Sequence, residues 1–215
     1  MIVVIGAAAL RGEAPDGLAA GVAIAAAASG SAVELITKVG DDPAGDALLL
    51  ALAQARVGHV AVLRDPAFAT GQAAPTDDVA PEEETPGSSS PAAPTLEAAD
   101  VGLALRYLSD YRVIVVVHPA TPALLAEATG AAGWSGASLA LVVGPGDDPP
   151  PDLPDDALVL AADPDAHDAD GLGERLGQYV AAVDRGDATR EAFLGFVAAA
   201  GTGSAATGSG AVVES

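Results

Sequence analysis

The stretch from Lys38 to Asp46 constrains the fold of this chain more than any other. It reads Lys-Val-Gly-Asp-Asp-Pro-Ala-Gly-Asp and joins an apolar strand predicted at residues 32–37 to an apolar helix predicted at 44–55. Its two glycines allow a tight reversal, and a carboxylate at the start of the helix can cap free N–H groups. A strand that enters a helix through such a turn is typical of the βα units that build parallel sheets.

The same alternation of strand and helix continues along the chain. Strands are predicted at residues 2–5, 32–37, 60–63, 112–117, 139–143 and 157–161, and a last short strand is allowed at 211–213. Helices are predicted at residues 17–29, 44–55, 96–108, 122–132, 172–183 and 189–200. This order favours an α/β fold, a three-layer sandwich in which helices cover both faces of a mostly parallel central sheet.

The length of 215 residues suits one domain, which we expect to span residues 1–215. Residues 75–94 contain Pro, Ser, Glu and Asp with almost no large apolar side chain, so we predict a low-complexity linker or surface arm there. Residues 201–215 are mostly Gly, Ala, Ser and Thr and are predicted to form a weakly specified tail. Residues 11–16 are predicted to be a polar turn.

Charge and composition exclude several classes of partner. The formal charge is −21, from 30 acidic against 9 basic side chains, and such a surface repels nucleic acid and anionic lipid. The chain has no cysteine, which excludes disulfides and thiolate chemistry. We see no leader pattern and no apolar run long enough to span a membrane, so we expect a cytoplasmic protein. Its small-residue faces would allow a homo-oligomer.

The turn at residues 38–46 is followed by a specific succession through residues 57–71. Val-Gly-His-Val, Val-Leu-Arg-Asp-Pro and Ala-Thr-Gly occur there in that order. This succession closely resembles the N-terminal half of ribokinase-like (PfkB-type) carbohydrate kinases. Residues 168–212 look like the two closing helices of that family, and residues 110–146 share its strand–helix–strand pattern. The resemblance implies a ribokinase-like fold and transfer of phosphate from Mg-ATP to a sugar or nucleoside hydroxyl.

The family's catalytic signature is Gly-Ala-Gly-Asp at a helix N-terminus, and the matching run here is Asp-Ala-Asp-Gly-Leu-Gly-Glu at residues 168–174. The resemblance makes Glu174 the general base, one methylene longer than the family's aspartate. It assigns the phosphoryl anion hole to the amides of Gly171, Leu172 and Gly173. Alternatively, Asp170 and Glu174 only cap the helix and the two glycines only form its turn.

The resemblance also suggests substrate-binding residues at Gly17, Gly21 and Asp41. The family has a Gly-Gly pair followed by an asparagine on its first long helix, whereas Leu18 replaces the second glycine here and Gly21 stands at the asparagine position. An apolar Leu18 would penalise a buried sugar hydroxyl. Because the link between the first strand and this helix is short, we expect the family's lid strands to be reduced or absent.

Two motifs of the family are missing from the sequence between Val143 and Asp168. These are the Asn-x-x-Glu that helps to hold magnesium and the Thr-x-Gly-x-x-Gly nucleotide loop, and only a Pro/Asp loop and one short strand fit there. Two functions therefore remain open. The chain is either a relative without kinase activity that binds or assembles, with no certain cofactor, or a kinase of sugars or nucleosides that uses Mg-ATP and Glu174.

Two further groups of residues have a functional and a structural interpretation. One group is an acidic cluster that comprises Asp163, Asp165, His167, Asp168 and Asp170. Its oxygen ligands suit calcium or magnesium. The spacing of the cluster and Pro164 instead favour a solvated loop without a metal site. His118 follows the strand at 112–117, at an edge where ligands bind in α/β folds, or it is a hydrogen-bonded turn residue.

Overall fold

The computed structural model describes residues 1–72, 94–117, 120–147, 149–162, 171–187 and 191–196. The strands are β1 (Ile2–Ile5), β2 (Ala9–Arg11), β3 (Ala14–Asp16), β4 (Val33–Gly40), β5 (Val62–Asp65), β6 (Val113–Val117), β7 (Ser138–Val143) and β8 (Leu158–Ala161). The helices are α1 (Leu18–Ala28), α2 (Pro43–Gln54), α3 (Ala98–Tyr107), α4 (Pro122–Ser135) and α5 (Leu172–Arg185). Residues 191–196 are also helical.

Six strands form one parallel sheet in the order β5-β4-β1-β6-β7-β8. β1 lies in the middle, where Ile2 is opposite Val33 of β4 on one side and Val113 of β6 on the other. The chain first builds the sheet outward from β1 to β5 and then continues from β6 to β8 on the other side. The strand order therefore reverses between β1 and β6, and the carboxyl ends of these two strands frame the crevice where ligands bind in such folds.

Helices cover both faces of the sheet, as the sequence predicts. Alternate side chains of each central strand enter different cores, so that Val4 and Val115 pack on the side of α1, α2 and α5. Val3 and Ile114 pack on the side of α3 and α4. The central strands are buried on both faces, which explains why β1 and β6 read as unbroken runs of β-branched residues. The three-layer α/β prediction is confirmed.

The link between β1 and α1 is a β-hairpin, and the prediction of a simple polar turn at residues 11–16 is wrong. β2 pairs with β3 in antiparallel fashion, and Gly12 adopts a φ of +63° in the connecting turn. Arg11 and Asp16 form an ion pair of 2.9 Å across the hairpin. Buried Leu10 fixes it to the body of the protein and hydrogen bonds through its N–H to the carbonyl of Gly71. The strands in this link are thus reduced to three residues each.

The strand predicted at residues 60–63 is β5, and it begins two residues later than predicted, at Val62. The N–H of Val62 hydrogen bonds to the carbonyl of His59, so residues 59–62 form a turn before β5. Val60 is 79% exposed, although its side chain suits a strand. The apolar pattern of the sequence therefore predicts the start of the strand two residues too early.

Several predictions fall on residues outside the described ranges. These are the arm up to residue 93, the tail at 201–215 with its short strand at 211–213, and both ends of the helix predicted at 189–200. None of the described helices is long and apolar enough to cross a membrane.

A buried carboxylate fixes α5 at the amino edge of the sheet. Asp184 Oδ1 lies 2.9 Å from the amino group of Met1 and 3.3 Å from Arg112 Nε. Burial alone would raise the pKa of Asp184, but the hydrogen bond and charge of the Met1 amino group, with Ser31 and Arg112, lower it on balance. Because the end of α5 is held where β1 begins, the start of α5 points toward the opposite, carboxyl edge.

Candidate functional site

Two helix N-termini lie side by side at the carboxyl edge of the sheet. α1 starts after Gly17, which follows β1 and the hairpin, and α5 starts after Gly171. A Cβ atom added to Gly21, the fourth residue of α1, would lie 3.8 Å from the Cα of Gly173, the second residue of α5. The two helices therefore run parallel and in contact from their first turns. Their positive dipole ends point to the same place, which is favourable for an anion.

Small residues allow this close approach of α1 and α5. A Cβ atom on Gly177 would lie 2.5 Å from Ala25 Cβ, 2.7 Å from the carbonyl oxygen of Val22 and 2.9 Å from the backbone nitrogen of Ala26. These distances are shorter than any van der Waals contact, so no side chain fits at Gly177 without moving a helix. The glycine thereby fixes how far apart the two N-termini lie.

The floor of the crevice is formed by Gly6, directly after β1. A Cβ atom at Gly6 would lie 2.9 Å from Ala19 Cβ and 3.1 Å from Val117 Cβ. The start of α1 and the end of β6 therefore close against the backbone of β1 at the point where the strand order reverses. This crevice is the candidate functional site.

The predicted anion-hole segment begins α5 at this crevice. Gly171 has a φ of +63°, a conformation that favours glycine, and its carbonyl accepts the first helical hydrogen bond from the Arg175 N–H at 3.0 Å. One guanidinium nitrogen of Arg175 lies 3.7 Å from where a Cβ atom of Gly171 would be. Sequence reasoning missed Arg175, although no lysine or arginine occurs between Arg112 and this residue.

The predicted base, Glu174, has a solvent-exposed side chain. Its Oε1 accepts a hydrogen bond of 3.2 Å from the Nε2 of Gln178, which lies one turn later on the same helix. The preceding residue, Gly173, is buried and faces α1. The described contact of the carboxylate is therefore with the outer surface of α5 and not with α1.

The predicted substrate residue Asp41 takes part in an ion-pair cluster. Its Oδ1 lies 2.8 Å from one terminal nitrogen of Arg64, whose other terminal nitrogen lies 2.7 Å from Asp46 Oδ1. The hydrogen bond to Asp46 and the charges of the nearby aspartates raise the pKa of Arg64. The side chain of Asp41 is 54% exposed. Arg64 thus ties the turn before α2 to β5.

The neighbouring Asp42 holds the turn together. Its Oδ1 accepts hydrogen bonds from the Gly45 N–H at 2.7 Å and from the Thr70 hydroxyl at 2.7 Å, and its Oδ2 accepts one from the Thr70 N–H at 2.8 Å. The hydrogen bonds from Thr70 lower the pKa of Asp42 the most. Sequence reasoning gave Thr70 no role, although the Ala-Thr-Gly run that contains it belongs to the motif.

Glycines of the same turn are required by close packing. A Cβ atom on Gly40 would lie 2.7 Å from Asp42 Oδ2, from the carbonyl of Phe68 and from the Thr70 nitrogen. One on Gly45 would lie 2.5 Å from the carbonyl oxygen of Gly40. Packing and hydrogen bonding within the turn therefore explain why glycine and aspartate occur at these positions of the stretch from Lys38 to Asp46.

Comparison with known proteins identifies the architecture. No protein-family model matches the sequence, and no curated protein matches it either. The structure called Sa239 is similar over 97% of this chain and 95% of its own, with a TM-score of 0.66 and 15% identity. A putative Ribokinase II from E. coli in complex with ATP and Mg²⁺ has a TM-score of 0.63 at 15% identity, over 93% of this chain and 91% of its own.

A PfkB protein from Polaromonas sp. JS666 has a TM-score of 0.63 at 17% identity, over 95% of this chain and 96% of its own. The fold is ribokinase-like. The fold implied by the sequence motifs is thereby confirmed. At these identities the likeness establishes the ribokinase-like fold and no activity.

The connection between β7 and α5 contains little regular structure in its described residues. The described residues from 144 to 171 contain one regular element, the four-residue strand β8, and otherwise turns and loops. The sequence predicted this arrangement of a Pro/Asp loop and one short strand.

Other predicted candidates lie outside the described ranges of the ribokinase-like fold. They are His118 and the acidic cluster, namely Asp163, Asp165, His167, Asp168 and Asp170. Within the described ranges, no three His, Cys, Asp or Glu side chains come together as metal ligands.

Proposed function

We propose that this chain is a ribokinase-like protein that has lost sugar-kinase activity and acts by binding or assembly. The observation that carries the proposal is the position of Glu174. Its carboxylate is exposed and accepts a hydrogen bond from Gln178 on its own helix. A general base must reach the proton that it removes within hydrogen-bond distance, and a displacement of about 1 Å costs on the order of a hundredfold in rate.

The low affinity that we expect of the crevice for a nucleotide supports the same proposal. Micromolar binding corresponds to about 8 kcal/mol, whereas a charge-assisted hydrogen bond contributes about 1.5 to 3 kcal/mol. The crevice offers two helix N-termini and Arg175, in a chain whose charge of −21 repels a triphosphate. Because association also costs translational freedom and side-chain ordering, we expect an affinity for Mg-ATP weaker than micromolar.

The second candidate is an active sugar or nucleoside kinase that uses Mg-ATP. The juxtaposed N-termini of α1 and α5 favour it, since this arrangement suits the charge that develops on a transferred phosphoryl group. In this candidate the amides of Gly171, Leu172 and Gly173 would form the anion hole and Glu174 would take the hydroxyl proton. Gly17, Gly21 and Asp41 would contact the substrate.

Calorimetric titration with Mg-ATP distinguishes the two candidates. We expect no saturable heat at micromolar protein and nucleotide, because two helix N-termini and Arg175 should bind a triphosphate only weakly. A dissociation constant in the micromolar range would contradict the proposal. In that case Glu174→Gln should leave binding intact and abolish turnover with a panel of sugars and nucleosides. Glu127→Gln, an exposed helical glutamate on the other face of the sheet, is the matched control.

We further propose a cytoplasmic location, and the acidic charge supports the absence of nucleic-acid and anionic membrane partners. A small sugar or nucleoside remains the proposed ligand only for the kinase candidate. Self-association is the form of assembly that we consider.

A further inference from the structure

A pocket lies between the second half of α5 and the helical residues 191–196. Its volume is about 460 Å³, and its lining includes Tyr179, Ala182, Asp187, Glu191, Gly195 and Phe196. Small residues leave this space open, since a Cβ atom added to Gly195 would meet nothing within 4 Å. Because α5 begins at the crevice and ends near the amino edge of the sheet, the pocket is separate from the crevice.

Aromatic side chains are concentrated at this pocket. The whole chain has one tryptophan, three tyrosines and three phenylalanines, and three of these rings come together here. The ring centre of Phe196 lies 6.1 Å from that of Tyr179 in an edge-on contact and 6.3 Å from that of Phe193 in a stacked contact. Phe196 packs against the core, but Phe193 stays 40% exposed. Burial in the core therefore does not account for the whole cluster of rings.

The pocket is more acidic than the chain as a whole. Asp187 and Glu191 are the charged residues among the eight that line it, which gives a net charge of −2. The chain carries −21 over 215 residues, so the density of negative charge is more than doubled here. Arg185 lies 3.9 Å from Asp187 and offsets part of its charge, but it does not line the pocket. Glu191 is therefore the stronger source of negative charge beside the rings.

We propose that the pocket between α5 and residues 191–196 binds a small organic cation, such as a quaternary ammonium group. Aromatic rings attract such cations electrostatically, and a neighbouring carboxylate adds the attraction of opposite charge. A bare divalent ion suits the pocket less, because such ions need several oxygen ligands, whereas aromatic rings form much of the wall. The two carboxylates repel an anionic ligand. The inference does not rest on the proposed function, which concerns the crevice at the other end of α5.

Titration of the full chain with choline, followed by the NMR amide signals of Ala182 and Gly195, tests the pocket. The signals should saturate with a dissociation constant of about 1 mM or lower. The matched ligand is the uncharged isostere of choline, in which a carbon atom replaces the nitrogen. It keeps the shape and loses the charge, so it should bind at least about tenfold more weakly. Sodium chloride at about 0.15 M screens the general field of the acidic surface.

Three variants locate the binding. Glu191→Gln should raise the dissociation constant for choline about fivefold. Glu13→Gln removes the same charge from an exposed turn between β2 and β3 and should leave the constant unchanged. Gly195→Leu should abolish binding because its side chain fills the pocket.

Several results would overturn the proposal. They are signals that do not approach saturation by about 10 mM choline, equal affinity for the uncharged isostere, and undiminished binding by Gly195→Leu. Equal effects of Glu191→Gln and Glu13→Gln would also overturn it, since they would mean that choline responds only to the overall negative charge. None of these results depends on whether the crevice binds Mg-ATP.

Discussion

Gly177→Val should lower the free energy of unfolding by about 3 kcal/mol, since overpacking a close contact costs about 1 to 3 kcal/mol and more when backbone must move. Two of the three atoms nearest to the added Cβ are backbone atoms of α1, at 2.7 and 2.9 Å. Neither can rotate away as a side chain could. Chemical denaturation monitored by circular dichroism measures the effect.

Gly133→Ala is the matched control, because Gly133 lies in α4 with nothing within 4 Å of an added Cβ. This change should raise stability by about 0.5 to 1 kcal/mol through helix propensity alone. Opposite signs for the two glycines would establish that contact with α1, and not helix propensity, determines the effect at Gly177. A loss of less than about 1 kcal/mol for Gly177→Val would mean that the helices are not in such close contact.

Asp42→Ala is expected to destabilise the fold by about 3 kcal/mol or more. Loss of an N-cap costs about 1 kcal/mol, and each buried donor left without a partner costs about 1 to 3 kcal/mol. The donors in question are the N–H and hydroxyl of Thr70, a residue that is only 4% exposed. Asp41→Ala, one position earlier in the same turn, removes a half-exposed ion pair and should change stability little.

The effect of Asp42 should also depend on pH. Its pKa is lowered in the folded state, chiefly by the hydrogen bonds from Thr70, so the folded chain binds a proton less readily than the unfolded chain. The stabilisation is therefore complete above about pH 4, the ordinary range of an aspartate, and is lost as the pH falls through the folded pKa. Unfolding free energies of wild type and Asp42→Ala should converge in acid. A difference that is unchanged at low pH would contradict this role.

The architecture could be predicted from sequence because the central strands are apolar on both faces. Unbroken apolar runs such as those of β1 and β6 are typical of strands that are buried on both faces. Their alternation with helices indicates a parallel sheet. The hairpin at β2 and β3 could not be predicted in this way. Its strands are three residues long, and they depend on the Arg11–Asp16 pair and on contact with Gly71, which is distant in sequence.

The candidate site was only partly predictable for a similar reason. The motif located Gly171 at a helix start, since a glycine at positive φ is a local requirement. Where Glu174 points depends instead on which face of α5 packs on α1, and this is set by Gly173, Gly177 and the small residues of α1. Likewise, Asp42 accepts a hydrogen bond from Thr70, and Asp41 forms an ion pair with Arg64. The spacing of the acidic turn does not reveal either contact.

The most direct test of the account follows the backbone amides of Gly171, Leu172 and Gly173 by NMR during titration with Mg-ATP. We predict that their signals shift no more than those of the distant Gly133 up to about 10 μM nucleotide, because two helix N-termini and Arg175 should bind a triphosphate only weakly. Saturable shifts confined to residues 171–174 at micromolar Mg-ATP would contradict the loss of kinase function.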